Sequence, residues 1–226
     1  MNTIKSINYD QHKIIKDILD LHNDGNQIDC DITYSKGNFY GRFSDENGSE
    51  FEIKQPTYKF DVKPLFDDVV KLDPMGKIPL ENDSLNCIMI DLPFLVTSLS
   101  AHSVINGRNK MIKRFSGYNT QEDLLDSYSH WLREAYRVLR PNGILIFKCQ
   151  PTTCNNYQLM THLFSCRVAE EVGFYIKDEF ILLAKRRLIG KVIKQRHARK
   201  FHSYFYVFEK NNKLREKLLY NKKVGC

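Results

Sequence analysis

The chain has 226 residues, 42% hydrophobic, 27% charged and 12% aromatic, a balance that excludes a disordered, collagen-like or coiled-coil chain. This length supports one sizeable core and not two full-size domains. Lys and Arg number 34 against 27 Asp and Glu, and the net charge of +7 points to an anionic partner without naming one. No apolar run approaches the roughly 20 residues needed to cross a bilayer, and the first residues lack the apolar core of an export signal. The six cysteines form no C-x-x-C pair and sit mostly in apolar segments, and the histidines show no ligand spacing. A cytoplasmic, soluble protein without a structural metal is the expectation.

Ile14, Ile15, Ile18, Leu19 and Leu21 predict a helix over 8–22 that Asn23-Asp24-Gly25 ends. A strand over 28–34 follows, turning at Ser35-Lys36-Gly37. Residues 41–50 are polar and glycine-containing and read as a loop. Short strands are predicted at 51–53 and 58–62, with a short apolar stretch at 69–72. The run over 86–90, ending at Asp91-Leu92-Pro93-Phe94, has the continuous apolar character of a parallel strand buried on both faces. Residues 95–119 form a long connection carrying Arg108, Lys110, Lys113 and Arg114.

Thr120 and Asp123 make a capping box. The helix they open carries Leu124, Leu125, Tyr128, Trp131, Leu132, Ala135, Val138 and Leu139 on one broad face, until Pro141 and Gly143 stop it. A buried strand at 144–147 follows. A second amphipathic helix then runs through Leu163, Phe164, Val168, Ala169 and Val172, and Gly173 closes it. Two last strands lie at 175–183 and 201–208. Alternating strands and helices imply a parallel sheet covered on both faces. The final pair, with no helix between, predicts an antiparallel hairpin at the sheet edge. One domain, residues 1–226, is expected.

In open parallel sheets ligands bind at the carboxyl ends of the strands. Asp31, with Thr33, Tyr34 and Gly37 behind it, follows the first such strand; Asp61, Asp73 and Asp91 follow the next three. Singly, each Asp also suits a turn or cap. As an ordered row they suit a polar ligand bearing hydroxyls and an amino group.

Four segments together resemble one family. They are Asp91-Leu92-Pro93-Phe94, the preceding Ile78-Pro79-Leu80-Glu81-Asn82-Asp83-Ser84, the junction at 137–146 (RVLRPNGILI) and the ending at 201–208 (FHSYFYVF). The chain is similar to the small S-adenosylmethionine-dependent DNA methyltransferases of the adenine-N6/cytosine-N4 type, over roughly residues 28–208. The resemblance implies an α/β, Rossmann-like class I methyltransferase fold with a seven-stranded, mostly parallel sheet and a C-terminal antiparallel hairpin. It implies S-adenosylmethionine as cofactor, bound by Asp31, Thr33, Tyr34, Gly37, Asp61 and Asp73. Catalysis falls to Asp91, Leu92, Pro93 and Phe94, with adenine N6 in DNA as the favoured acceptor.

Leu92 stands where the family usually has proline. The position works through its backbone carbonyl, and related ribosomal-RNA adenine dimethyltransferases carry an aliphatic residue there. The cofactor loop, usually rich in glycine, keeps only Gly37, with Ser35 where a glycine is common. An RNA base N-methyltransferase therefore stays open. So does a catalytically silent methyltransferase-like module that binds nucleic acid or a partner. The chemistry suits the residues. The exocyclic amine of a base is a poor nucleophile, and the Asp91 carboxylate and Leu92 carbonyl accept its N–H groups as charge develops. Pro93 stiffens the turn and Phe94 stacks on an everted base. The sulfonium methyl is already activated, so no metal is expected.

Residues 185–200 hold Lys185, Arg186, Arg187, Lys191, Lys194, Arg196, Arg199 and Lys200 without one acid. Such a run commonly serves only as a solvated face. Its concentration in one loop favours phosphate contact that positions nucleic acid without reading sequence. The 95–119 connection, with Arg108, Lys113 and Arg114, leaves the catalytic turn directly and is the candidate substrate lid. The chain is too short for a separate target-recognition domain, so readout falls to the lid, the basic loop, a partner subunit or a homodimer.

Overall fold

The computed structural model describes residues 3–96, 117–154, 157–185, 197–211 and 213. The elements in chain order are β1 (Ile7–Asn8), α1 (Gln11–His22), β2 (Cys30–Asp31), β3 (Gly41–Ser44), β4 (Glu50–Ile53), β5 (Tyr58–Asp61), β6 (Val70–Lys71) and β7 (Leu85–Asp91). Then come α2 (Gln121–Val138), β8 (Leu139–Cys149), β9 (Thr152–Cys154), β10 (Tyr157–Leu159), α3 (Thr161–Val172), β11 (Tyr175–Leu183) and β12 (His202–Glu209).

Alternation along β7, β8 and β12 sets the layers. Cys87, Met89, Ile144, Ile146, Phe205 and Val207 face one side and pack with Ile14, Ile15, Ile18 and Leu19 of α1. Ile88, Ile90, Leu145, Phe147, Tyr206 and Phe208 face the other and pack with Leu124, Tyr128, Trp131 and Ala135 of α2 and with Val168 and Ala169 of α3. Helices thus cover both faces, which is why these strands read as unbroken apolar runs.

Among the described residues the main sheet has eight strands, in the order β1-β11-β12-β8-β7-β2-β5-β6. From β6 to β8 every pair is parallel. The chain builds outward from β2 to β5 and β6, then returns to the other flank of β2 with β7. The strand order therefore reverses between β2 and β7.

Two sequence expectations are corrected here. The last two strands do pair antiparallel, but β12 sits inside the sheet between β11 and β8, antiparallel to both, and is no edge. Its buried residues on both faces, from Phe205 to Phe208, leave it no other place. The sheet also gains an eighth strand, because Ile7 and Asn8 pair with Ile181 and Leu182 of β11. The helix predicted from residue 8 accordingly starts at Gln11, with Asp10 capping the His12 N–H.

Smaller differences have local causes. The loop expected at 41–50 holds β3, which pairs with β4; Phe43, Phe51 and Ile53 pack against the α1 layer while polar neighbours face water. The first parallel strand is cut to Cys30–Asp31, since the Asp31 carboxylate draws in the Thr33 N–H and bends the chain. Helix α2 has the predicted Thr120–Asp123 capping box but ends at Val138, and Pro141 and Gly143 lie within β8. There Asn142 takes φ +64°, and a Cβ on Gly143 would lie 2.9 Å from the Arg140 carbonyl oxygen. Helix α3 closes at Gly173, φ +123°, as expected, although Leu163 points to solvent. The β9–β10 hairpin had no counterpart in the sequence reading. Among the described residues no helix is long and apolar enough to cross a membrane.

Candidate active site at the carboxyl edge of the sheet

The strand order reverses between β2 and β7, and the carboxyl ends of strands at such a reversal are where open α/β sheets bind ligands. Asp31 ends β2 and Asp91 ends β7. The Thr33 hydroxyl links them: it accepts from the Asp91 N–H at 2.8 Å and donates to Asp31 Oδ1 at 3.0 Å. Asp31 Oδ1 also accepts from the Thr33 N–H at 2.8 Å, and Oδ2 accepts from the Tyr40 hydroxyl at 2.7 Å. Asp31 is fully buried. Burial pushes its carboxyl up to about 7, opposed by the bonds from Tyr40 and Thr33 and reinforced by the nearby charge of Asp91. Both Asp31 oxygens are thus engaged by the chain itself, and this residue shapes the β2 loop from within.

That loop is unusual in carrying Ser35 at φ +50°, a left-handed conformation that costs a non-glycine residue energy. Asp61, at the end of β5, offsets the cost by accepting the Ser35 N–H at 2.8 Å, and its other oxygen accepts from the Lys63 N–H at 2.7 Å. The glycine missing from the loop is therefore replaced by a carboxylate tether. Gly37 keeps the usual role: at φ +67° a Cβ would lie 2.5 Å from the Tyr34 hydroxyl oxygen. Tyr34 itself is buried and stacks on Tyr40 with ring centroids 5.6 Å apart.

At the end of β7 Asp91 is half-buried, and its Oδ2 lies 2.9 Å from the Lys148 ammonium near the end of β8. Lys148 also lies 5.0 Å from the Phe39 ring centre and 5.5 Å from that of Phe205. The Leu92 side chain is buried in the core cluster that α2 joins. The Pro93 carbonyl accepts from the Tyr128 hydroxyl at 3.3 Å, which ties the turn to α2. Phe94 is half-buried. The connection that leaves Phe94 is pinned at its base, where Val96 bridges Tyr118 and the Tyr118 N–H donates to the Leu95 carbonyl.

The structure brings Asp31, Thr33, Tyr34, Gly37, Asp61 and Asp91 to one edge: Thr33 joins Asp31 to Asp91, while Asp61 holds Ser35 in the turn that Tyr34 and Gly37 close. Asp73 follows β6 at the far end of the same row; it is exposed, with its carbonyl accepting the Gly76 N–H. Of the basic residues, Lys185 stands over the Tyr9 ring, and Arg199 and Lys200 are half-buried just before β12. Arg108, Lys113, Arg114, Arg186, Arg187, Lys191, Lys194 and Arg196 lie outside the described residues, as does Lys110. The sequence reading missed Lys148 and Tyr40. Lys148 carried a signal, a lone charge directly after the buried Phe147; Tyr40, one aromatic among several, carried none.

Comparison with known proteins bears on this site. A family model described as DNA methylase, of the N6/N4 methyltransferase type, matches residues 85–224, which include Asp91, Lys148 and β12. No individually curated protein matches the chain. Among solved structures, one described as a DNA modification methylase from Thermus thermophilus shares 16% identity over 59% of this chain and 49% of its own, with a TM-score of 0.40. The PvuII cytosine-N4-specific DNA methyltransferase shares 12% over 59% and 45%, at 0.43. A structure described as an S-adenosylmethionine-dependent methyltransferase from Thermotoga maritima shares 13% over 82% of each chain, at 0.41. The chain spans about half the length of the Thermus thermophilus structures it matches. The family match covers well over half of the sequence, and on that ground the chain belongs to the DNA methylase family.

Proposed function

We propose that this chain transfers a methyl group from S-adenosylmethionine to the exocyclic amine of a base in DNA, with adenine N6 the favoured acceptor and cytosine N4 the alternative. One observation carries the reading: a carboxylate, Asp91, held at the strand-order reversal by its own N–H on Thr33 and by Lys148. The residues present fit the cofactor. Asp61 uses one lone pair of each oxygen on the chain and has others for ribose hydroxyls. The turn at 35–37 offers backbone beside it, and Asp73 lies further along the same edge. Asp31 acts through Thr33, since it is fully buried.

When bound, S-adenosylmethionine supplies an electrophilic methyl on a sulfonium. Asp91 and the Leu92 carbonyl each accept an N–H from the target amine, and Asp91 stabilises the positive charge that develops on that nitrogen. The proton shed afterwards passes first to Asp91 Oδ1. Pro93 fixes the turn, and Phe94 provides a face for a base taken out of its helix. The cations of 185–200, with Arg108, Lys113 and Arg114, contact phosphate.

The test is incubation with labelled cofactor and separate DNA and RNA pools, followed by nucleoside mass spectrometry. Methylated adenine from DNA is expected. Asp91→Ala should lower the rate of the chemical step about 100-fold or more, the effect of removing one preorganised electrostatic partner, with cofactor affinity unchanged. Cofactor binding without any methylated nucleoside would refute the reading. Product confined to RNA would refute the substrate, and methylcytosine alone would refute the acceptor.

A further inference from the structure

Strand β8 is apolar from Ile144 to Phe147, every side chain buried, and its next residue is a lysine. The Lys148 side chain is only 17% exposed, against 28% for Asp91, and the Phe39 and Phe205 rings crowd its ammonium. An ammonium taken this far from water needs more than one carboxylate contact to satisfy its three N–H donors. Aromatic faces attract the charge but accept no conventional hydrogen bond. Asp91 is engaged through Oδ2, which leaves Oδ1 for another donor. A donor and an acceptor therefore stand side by side at the carboxyl edge of the sheet, 2.9 Å apart, with capacity left on both.

That pairing has a chemical complement. On the Watson–Crick edge, adenine shows an amine beside the unprotonated ring nitrogen N1, and cytosine shows an amine beside the unprotonated N3. Thymine shows the inverse, a carbonyl beside a ring N–H, and guanine sets both its carbonyl and its amine beside a protonated N1. We propose that Lys148 determines base specificity: Asp91 accepts from the exocyclic amine while Lys148 donates to the adjacent ring nitrogen, so the pair reads an amidine edge. The inference rests on the methyl-transfer reading above and deepens it. A carbonyl opposite Asp91 and an N–H opposite Lys148 would each leave a charged group unmatched, the strongest form of rejection a small site offers. Donation to the ring nitrogen draws electron density from the amine, so Lys148 serves selection rather than rate.

The test uses two random-sequence DNA pools. In one, half the adenines are replaced by 1-deazaadenine; in the other, half the cytosines are replaced by 3-deazacytosine. Each analogue keeps the amine and loses the ring acceptor. After reaction with labelled S-adenosylmethionine, mass spectrometry gives the ratio of methylated natural base to methylated analogue. Both products form on the same active molecules, so the ratio is independent of how much of a variant is folded.

Wild-type protein should favour the natural base by about tenfold or more. Lys148→Arg, which keeps a donor, should retain a preference, and Lys148→Met should lower the ratio at least tenfold. Weaker pairing and a more basic amine both favour the analogue, so they bias against the expected result. A wild-type ratio near one overturns the proposal even if Lys148→Met is inactive, and so does an unchanged ratio in Lys148→Met. Absence of product from an unmodified pool is a different failure, that of methyl transfer itself, and overturns both.

Discussion

Replacing Asp31 by Asn should change how stability varies with pH. The wild-type carboxyl is fully buried and titrates at about 7, because burial outweighs the three hydrogen bonds it accepts from Thr33 and Tyr40. In the unfolded chain the same group titrates near 3.9. Between these values the native state holds a proton that the unfolded state has lost. The associated stability is complete below about pH 4 and drains as pH rises towards 7, at about 1.4 kcal/mol per pH unit. Asn cannot ionise, keeps the side-chain shape, and retains an oxygen for the Thr33 donors. From pH 5 to pH 7, wild-type protein should therefore lose about 2–3 kcal/mol relative to Asp31→Asn. Urea unfolding followed by far-ultraviolet circular dichroism at constant ionic strength measures the difference. Parallel stability curves, with a gap independent of pH, would show that the carboxylate is as well solvated by its three donors as by water, and the reasoning would fail.

Two further outcomes follow from particular contacts. Asp61→Ala should weaken cofactor binding by about 1.5–3 kcal/mol, through loss of charge-assisted bonds and release of the Ser35 turn; an unchanged dissociation constant by calorimetry would remove Asp61 from the site. Arg137 donates to the Ile78 and Leu80 carbonyls, to Asn82 and to Glu134, and so ties residues 78–82 to α2. Arg137→Ala should cost about 3 kcal/mol in denaturant unfolding, and Arg137→Lys should recover little of it, because an ammonium cannot reproduce the fork. Full recovery by Lys would show that charge alone matters.

Strands buried on both faces were the legible part of the sequence. The apolar runs at β7, β8 and β12 read correctly because packing on both sides leaves no room for polar alternation. The chain position of a strand says nothing about its lateral order, however. A hairpin at the end of the sequence reads as an edge, and only the burial of both faces of β12 shows that it is inserted. Short paired segments such as β1 and β3 were illegible for a different reason: two to four residues, half of them polar, carry too little periodicity to stand out. At the site, the four Asp residues were visible as the ends of successive strands, but their division of labour was not. Asp31 and Asp61 have the same sequence context, and only burial separates a carboxyl sealed by Tyr40 from one half-open to solvent.

The inserted strand also fixes where the segment between β11 and β12 is rooted. Because β12 is antiparallel to β8, its first residue lies at the carboxyl edge, where Tyr204 pairs with Cys149. Strand β11 is antiparallel to β12 in turn, so its last residue, Leu183, lies at that same edge opposite His202. The connection from 184 to 201 therefore begins and ends on the side of the sheet that carries Asp91 and Lys148, and its base is held by the bond from the Ala184 N–H to the Phe201 carbonyl. Insertion places β12 next to β8, one strand from the one that ends in Asp91. Under the proposed function, cations rooted there would contact the phosphates that flank an everted base and keep the substrate aligned with Asp91.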